Sequence, residues 1–396
     1  MANPLLEGVR VLDLTRLLPG PYATQLMAQL GAEVIKIEDP AGGDYARTLS
    51  PALFEQVNRG KASVTLDLKQ PDDVAAFKSL VADADVVIES FRPGVMERLG
   101  CGYETLRAIN PRLVYAALTG YGQTGPMADS AGHDINYLAL AGVLDQTGAS
   151  GGPPTISNVQ IADLAGGALT CTVGVLAALL GVRSSGHGSF VDSAMLDGAL
   201  ALQPVAMATR NTRGRVQPRG QDMLSGALPN YRVYRCRDGR YLAVGALEPK
   251  FFVRLLSRLA PFGLSPSHTT ARVVPGPAGA GRPRPARLTD WRGRLGRVLA
   301  DPARAATLGR PLHWSLAALF RTRNRDTWVA MLADTDACTT PVLTLDEALA
   351  HAQVAARGLV EDSALGCPLR FSQARQTPLA PSPALGADNE RFLRRA

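Results

Sequence analysis

The chain has 396 residues, 46% of them hydrophobic and 19% charged, with a formal net charge of +7. That describes an ordinary globular protein too long for one small core, so two domains are expected. The charge excess is local: residues 266–313 hold nine Arg and two acids, a difference of +7 equal to that of the whole chain, and lack the interleaved aromatics of a nucleic-acid surface.

The first third alternates strands and helices. Residues 9–14 (VRVLDL) are a β-branched apolar run and predict a buried strand. Residues 19–30 carry a helical pattern after a Pro-Gly-Pro turn. Strand 34–37, helix 74–81 with Asp72 and Asp73 at its first turn, strand 86–89, helix 103–110 and strand 113–118 follow. This alternation predicts an α/β fold with a doubly wound parallel sheet. Ligands of such sheets sit at the carboxyl ends of the strands, which directs attention to the loops after Ile37, Glu89 and Leu118.

Residues 163–182 predict a long helix rich in small residues. Residues 231–236 and 241–244 predict a hairpin turning at Asp238-Gly239, and helices are expected at 251–259 and 316–332. The large domain is expected over 1–200, completed by a C-terminal return at about 345–396. The small domain is expected over 226–340. Residues 266–313 show no clean periodicity and read as a flexible insertion. The Pro-rich tail from Phe371 is expected to wrap an outer surface.

No apolar run reaches the roughly 18 residues that span a bilayer, and no secretory leader is legible at the N-terminus. A cytoplasmic location without membrane partners is therefore expected. The five cysteines, Cys101, Cys171, Cys236, Cys338 and Cys367, are scattered and contain no C-x-x-C, which argues against disulfides and against a zinc site. Cys171 reads as core, and His187 sits in a plain turn.

Gly120-Tyr121-Gly122-Gln123-Thr124-Gly125 matches the G-x-G-x-x-G dinucleotide fingerprint after a strand. Pro126 follows, and no helix of the needed length comes next, so the helix terminus that binds a pyrophosphate is missing. These glycines are expected instead to let a different ligand approach the backbone closely.

Five segments taken together resemble one family: LLPGPYATQLMAQLGAEVIKIE (17–38), NRGKASVTLDLK (58–69), FRPGVMERLG (91–100), TGYGQTGP (119–126) and AGHDINY (131–137). In this order they resemble the class III CoA-transferase superfamily (CaiB/BaiF type), and within it the α-methylacyl-CoA racemase branch. The resemblance covers the chain except about 266–313. It implies a Rossmann-like large domain that binds CoA, a smaller α+β domain, and an interlocked homodimer acting on an acyl-CoA thioester in fatty-acid metabolism. No separate cofactor is implied, since CoA enters as part of the substrate.

By that resemblance His133, in Gly132-His133-Asp134, and Asp163 form an acid/base pair 30 residues apart in the chain (163 − 133), with Glu248 near the histidine. CoA contacts are implied at Leu66, Asp67, Leu68, Lys69, Ser90, Phe91, Arg92, Arg98, Gly132, Asp134, Ile135, Asn136 and Tyr137. Arg92 and Arg98 suit phosphate oxygens through their fork geometry. Asp39 stands where racemases often carry a basic residue, and Arg47 and Arg59 are the candidate replacements.

Inverting a centre next to a thioester needs proton removal on one face and return on the other. An imidazole titrates near neutrality and suits one side. A carboxyl, ordinarily near 3.9, must be raised by burial to serve the other; Asp163 lies among Ile161, Ala162, Leu164 and Ala165. Free N–H groups at the start of its helix are candidates for holding an enolate oxygen. Helix N-capping is an alternative role for Asp163, and both roles can hold. Two other activities stay open. One is CoA transfer through an acyl-Asp163 intermediate, which needs no histidine; the other is non-catalytic acyl-CoA binding.

Overall fold

A computed structural model describes residues 4–262, 302–361, 364–372 and 379–393. Six strands form one sheet: β1 (Arg10–Leu14), β2 (Glu33–Glu38), β3 (Ala62–Thr65), β4 (Val86–Glu89), β5 (Val114–Thr119) and β6 (Phe190–Ala194), in spatial order β3-β2-β1-β4-β5-β6. Every pairing is parallel, so the expected doubly wound sheet is present. The strand order reverses between β1 and β4, and the crevice outside their carboxyl ends is where this topology places a ligand.

Alternation along the strands buries both faces. Val11, Val34, Val86, Ile88, Val114 and Ala116 face one core, while Leu12, Ile35, Val87, Tyr115 and Ala117 face the other. The connecting helices are α1 (Pro19–Gln29), α2 (Pro51–Asn58), α3 (Pro71–Ala82), α4 (Tyr103–Ile109), α5 (Asp134–Leu140), α6 (Ala162–Ser185) and α7 (Met195–Ala201). Prolines at the first helical position open α1, α2 and α3, where the missing N–H costs no hydrogen bond.

Helix α6 has 24 residues and is apolar enough in length and composition to cross a membrane, contrary to the expectation from the sequence. It packs instead against α1, α7, β5 and β6. Ala162, Ala168, Cys171, Val175 and Val182 face the core, whereas Leu169, Val173 and Leu180 are exposed. Its buried character is therefore one-sided.

Met1–Thr147, Pro154–Gly214 and Leu349–Ala396 form one compact unit, and Gly148–Pro153 with Arg215–Ala348 form the other. In the second unit, strands β7 (Tyr231–Arg235), β8 (Tyr241–Gly245) and β9 (Thr339–Pro341) make an antiparallel sheet. The hairpin turns where expected, with Gly239 at φ 81°. Behind it lie α8 (Pro249–Leu259), α9 (Pro302–Phe320) and α10 (Arg325–Leu332).

Two expectations change here. The helix read over 316–332 is two helices, because the chain breaks at 321–324 and Asn324 is extended where it enters α10. The insertion read over 266–313 is helical from Pro302 onward; its remainder, 266–301, lies outside the described residues.

The tail packs against the first unit. Ala380 O accepts from Gly60 N–H, Glu55 accepts from Ser382 N–H, and Asp388 accepts from Ser63 N–H beside the edge strand β3.

Candidate functional site

The loop after β5 runs to His133 without forming the helix that a dinucleotide motif requires. The packing gives two of its glycines a structural reason of their own. A Cβ at Gly120 would lie 2.6 Å from the Tyr137 ring, and one at Gly132 would lie 2.7 Å from both Tyr137 and the Tyr121 hydroxyl. The two glycines thus let the loop fold over Tyr137. Gly122 and Gly125 take positive φ, 84° and 94°, in the turns between. Tyr137 is buried, meets Tyr121 edge-on at 5.2 Å, and donates its hydroxyl to Gly132 O at 2.6 Å.

His133 is the residue before α5, and its imidazole is on an exposed residue. Its main-chain N–H donates to Asn136 Oδ1 at 3.0 Å, while Asn136 N–H donates to His133 O at 2.8 Å. That reciprocal pair closes the first turn of α5 and fixes the backbone carrying the histidine. Asn136 and Ile135 are exposed on the same turn.

Asp134 turns the other way. Its Oδ1 accepts from Ala162 N–H at 2.7 Å and from Asp163 N–H at 3.1 Å. It therefore caps α6 from a distant loop and joins the His133 segment to the Asp163 segment. The N–H of Leu164 donates to Gln160 O at 2.9 Å. The N–H groups expected to hold an enolate oxygen are thus occupied. Asp163 is not the cap either; the position before the helical turn is Ile161.

Asp163 lies within the first stretch of α6, Ala162–Leu169, which is π-helical. Such turns widen the backbone spiral and recur at functional positions. Close packing of glycines sets this stretch against α7: a Cβ at Gly198 would lie 1.9 Å from Gly166 O, and one at Gly166 would lie 2.8 Å from Ala199 N. The Asp163 carboxyl is half-buried. Desolvation first, and the like charge of Asp134 second, push its pKa up to about 7. In turn burial, then the Asp163 charge, pushes the Tyr137 hydroxyl up to about 12.

The implied CoA residues occupy the carboxyl ends of neighbouring strands. Leu66, buried, and Asp67, Leu68 and Lys69 follow β3; the Asp67 carboxylate accepts from Lys69 N–H at 3.1 Å and leaves the lysine exposed. Ser90 and Phe91 follow β4, with Arg92 and Arg98 exposed beyond them. Sequence reading passed over Arg16, at the β1 end of the switch point. Its N–H donates to Ser90 Oγ at 3.3 Å, and its guanidinium stacks 5.0 Å from the centres of both the Phe91 and Tyr45 rings. The next residue, Leu17, holds φ 67°, and its N–H donates to Asp44 at 2.9 Å. The signal was the position itself: Arg16 is two residues past β1.

The proposed stand-ins for a basic residue at Asp39 are engaged elsewhere. Arg47 forms a two-pronged pair with Glu38, at 2.8 and 2.7 Å, and reaches Pro383 O; Arg59 donates to Leu379 O at 2.9 Å. Glu248 belongs to the second unit. It is exposed, precedes Pro249 at the start of α8, and its carbonyl accepts from Phe251 and Phe252 N–H. The structure thus ties His133, Asp134 and Asp163 together in the first unit, with Glu248 in the second. Among the described residues there is no cluster of three or more His, Cys, Asp or Glu suited to a metal.

The description CoA-transferase family III matches residues 6–266 and 283–389. The chain is 36% identical to the alpha-methylacyl-CoA racemase of Mus musculus over 396 aligned residues, which cover 98% of this chain and 93% of that protein. It is 42% identical to the acetyl-CoA:oxalate CoA-transferase of Acetobacter aceti, over 54% of this chain and 56% of that protein. Among solved structures it resembles a CaiB/BaiF family protein from Brucella suis, with TM-score 0.80, 28% identity and 99% of both chains covered.

Proposed function

This chain belongs to CoA-transferase family III, and from that premise we propose that it is a racemase interconverting the (R)- and (S)-epimers of 2-methylacyl-CoA thioesters. The observation that carries the reading is the Asp134 bridge, which fastens the His133 loop to the turn bearing Asp163, whose pKa is raised to about 7. A carboxyl at that value holds or yields a proton with nearly equal ease at neutral pH, as return of a proton in either direction demands. His133 serves one face of the substrate and Asp163 the other. The family resemblance implies a role for Glu248 in orienting the histidine. The 36% match to a racemase over nearly the full length of both chains supports the same reading.

The CoA moiety is assigned to residues 66–69 and 90–92, to Arg98 and to the 132–137 loop, with Arg16 added at the switch point. Two-sided proton transfer calls for no metal or redox group. The family resemblance implies a homodimer, and the exposed apolar residues Leu169, Val173 and Leu180 on α6 are in keeping with one; light scattering after gel filtration tests it. The decisive assay incubates the protein with one epimer of a 2-methylacyl-CoA in deuterated water. The reading expects deuterium at the α-carbon and loss of optical purity at matching rates. Folded protein that incorporates none refutes it, and CoA binding without exchange would identify an acyl-CoA binder instead.

The second reading, CoA transfer from an acyl-CoA to a free acid, is favoured by the 42% identity of the transferase match over its shorter span. It predicts an acyl-Asp163 that hydroxylamine cleaves and an activity that survives His133→Ala.

A further inference from the structure

We propose that the side chain of Asp134 is a positioning residue for Asp163: it holds the first turn of α6 and sets a second negative charge beside the reacting carboxyl. This rests on the racemase reading and deepens it. Three observations carry it. The Asp134 carboxylate accepts from Ala162 N–H and Asp163 N–H, 28 and 29 residues away in sequence, so it is directed at the backbone of the acid/base residue itself. The turn it caps is π-helical and is wedged against α7 by Gly166 and Gly198, which leaves little freedom for the turn to relax another way. Its own backbone follows His133, so a single residue couples the positions of both proton-transfer groups.

Other charged or titratable side chains belong to the elements packed around this turn: Tyr22 on α1, Tyr115 on β5, Asp192 on β6, Asp197 on α7 and Tyr137 on α5. Of these, Tyr137 registers the Asp163 charge, and the like charge acting on Asp163 is that of Asp134. A carboxylate used as a helix cap normally gains from the positive end of the helix. Here it also disfavours ionisation of its neighbour, so one contact serves both geometry and protonation.

The test uses the full chain with Asp134→Asn, which keeps an acceptor oxygen and removes the charge, and Asp134→Ser as a second acceptor-bearing variant should the first fold poorly. In the deuterium-exchange assay, using the epimer for which Asp163 is the base, the acid limb of the rate–pH profile is expected to move about one pH unit toward acid. Asp134→Ala, which also frees the turn, is expected to lower kcat by roughly 10- to 100-fold with KM changed no more than about twofold. A purely structural role would leave the limb of the Asn variant where it was.

A second readout needs no substrate. The stability gained by Asp163→Asn is followed against pH in the wild-type and Asp134→Asn backgrounds. The gain is expected to reach completion about one pH unit lower in the second. Identical midpoints in the two backgrounds overturn the proposal. Exchange absent from the wild type, with shifted midpoints, would sink the racemase reading while leaving the Asp134 assignment standing.

Discussion

Asp13 and Asp163 are carboxylates of the same unit with opposite surroundings. Asp13, at the end of β1, is wholly buried and pairs with Lys61 at 3.0 Å. Thr15 donates to it through N–H and hydroxyl, and Thr24 through its hydroxyl. Burial alone would raise its pKa, but Lys61 and Lys36 hold it well below the usual carboxylate range. Lys36 pairs in turn with Asp44 at 3.0 Å, and Glu38 with Arg47 at 2.7 Å. Three acids and three bases close this group at the carboxyl ends of β1 to β3. Among the described residues Asp163 has no such partner; burial first, and the like charge of Asp134 second, raise its pKa to about 7. A charge locked in its ionised form builds a scaffold, whereas a charge left against its own kind is poised to exchange a proton.

The comparison breaks most sharply at Lys61. Its ammonium donates to Asp13, Pro21 O, Thr24 and Asn58, and burial pushes it down to about 8. Lys61→Met strands a buried carboxylate and is expected to cost about 3–5 kcal/mol in chemical denaturation. Adding Asp13→Leu should recover part of that loss. If Lys61→Met costs less than about 1 kcal/mol, the group is not the scaffold described.

Asp163→Asn should act in the opposite sense. The folded pKa lies above the unfolded one, so the native state binds the extra proton between about pH 4 and 7. The wild type therefore loses stability as pH rises through that window, and the loss is constant above it. The asparagine variant is expected to exceed the wild type by on the order of 2 kcal/mol at pH 8. That advantage should vanish below pH 4, and α-deuteration should fall at least a thousandfold. Unfolding curves at pH 3.5, 6 and 8 check the sign.

The sheet was legible because its central strands are continuous runs such as VVIE and LVYAAL, which only a strand buried on both faces needs. Edge strands were harder. β6 reads FVDSA, with its first three residues not fully buried, and β3 is four residues within a longer motif. The break between α9 and α10 falls in the polar run Arg321-Thr322-Arg323-Asn324-Arg325-Asp326, a signal that reading one helix over 316–332 overlooked. His133 and Asp163 were legible through family motifs, but the partner of Asp134 was not: a contact spanning 28 residues between a side chain and a backbone N–H leaves no periodic trace. The glycines of the 120–132 loop were noticed, yet their cause was the bulk of Tyr137, which only the packing reveals.

That packing supplies the smallest of the expected effects. The Tyr137 hydroxyl donates to Gly132 O at 2.6 Å and so pins the loop one residue before His133. Tyr137→Phe keeps the ring between Gly120 and Gly132 and removes one hydrogen bond, so its cost in stability should be about 1 kcal/mol. The fold around Asp163 should be untouched, because Asp134 and not Tyr137 caps α6. Exchange is expected to slow by roughly three- to tenfold through a less well held His133, and the pH limb assigned to Asp163 should move slightly toward alkali or not at all. A large acid shift of that limb would mean that the phenol, rather than the Asp134 carboxylate, governs when Asp163 gives up its proton.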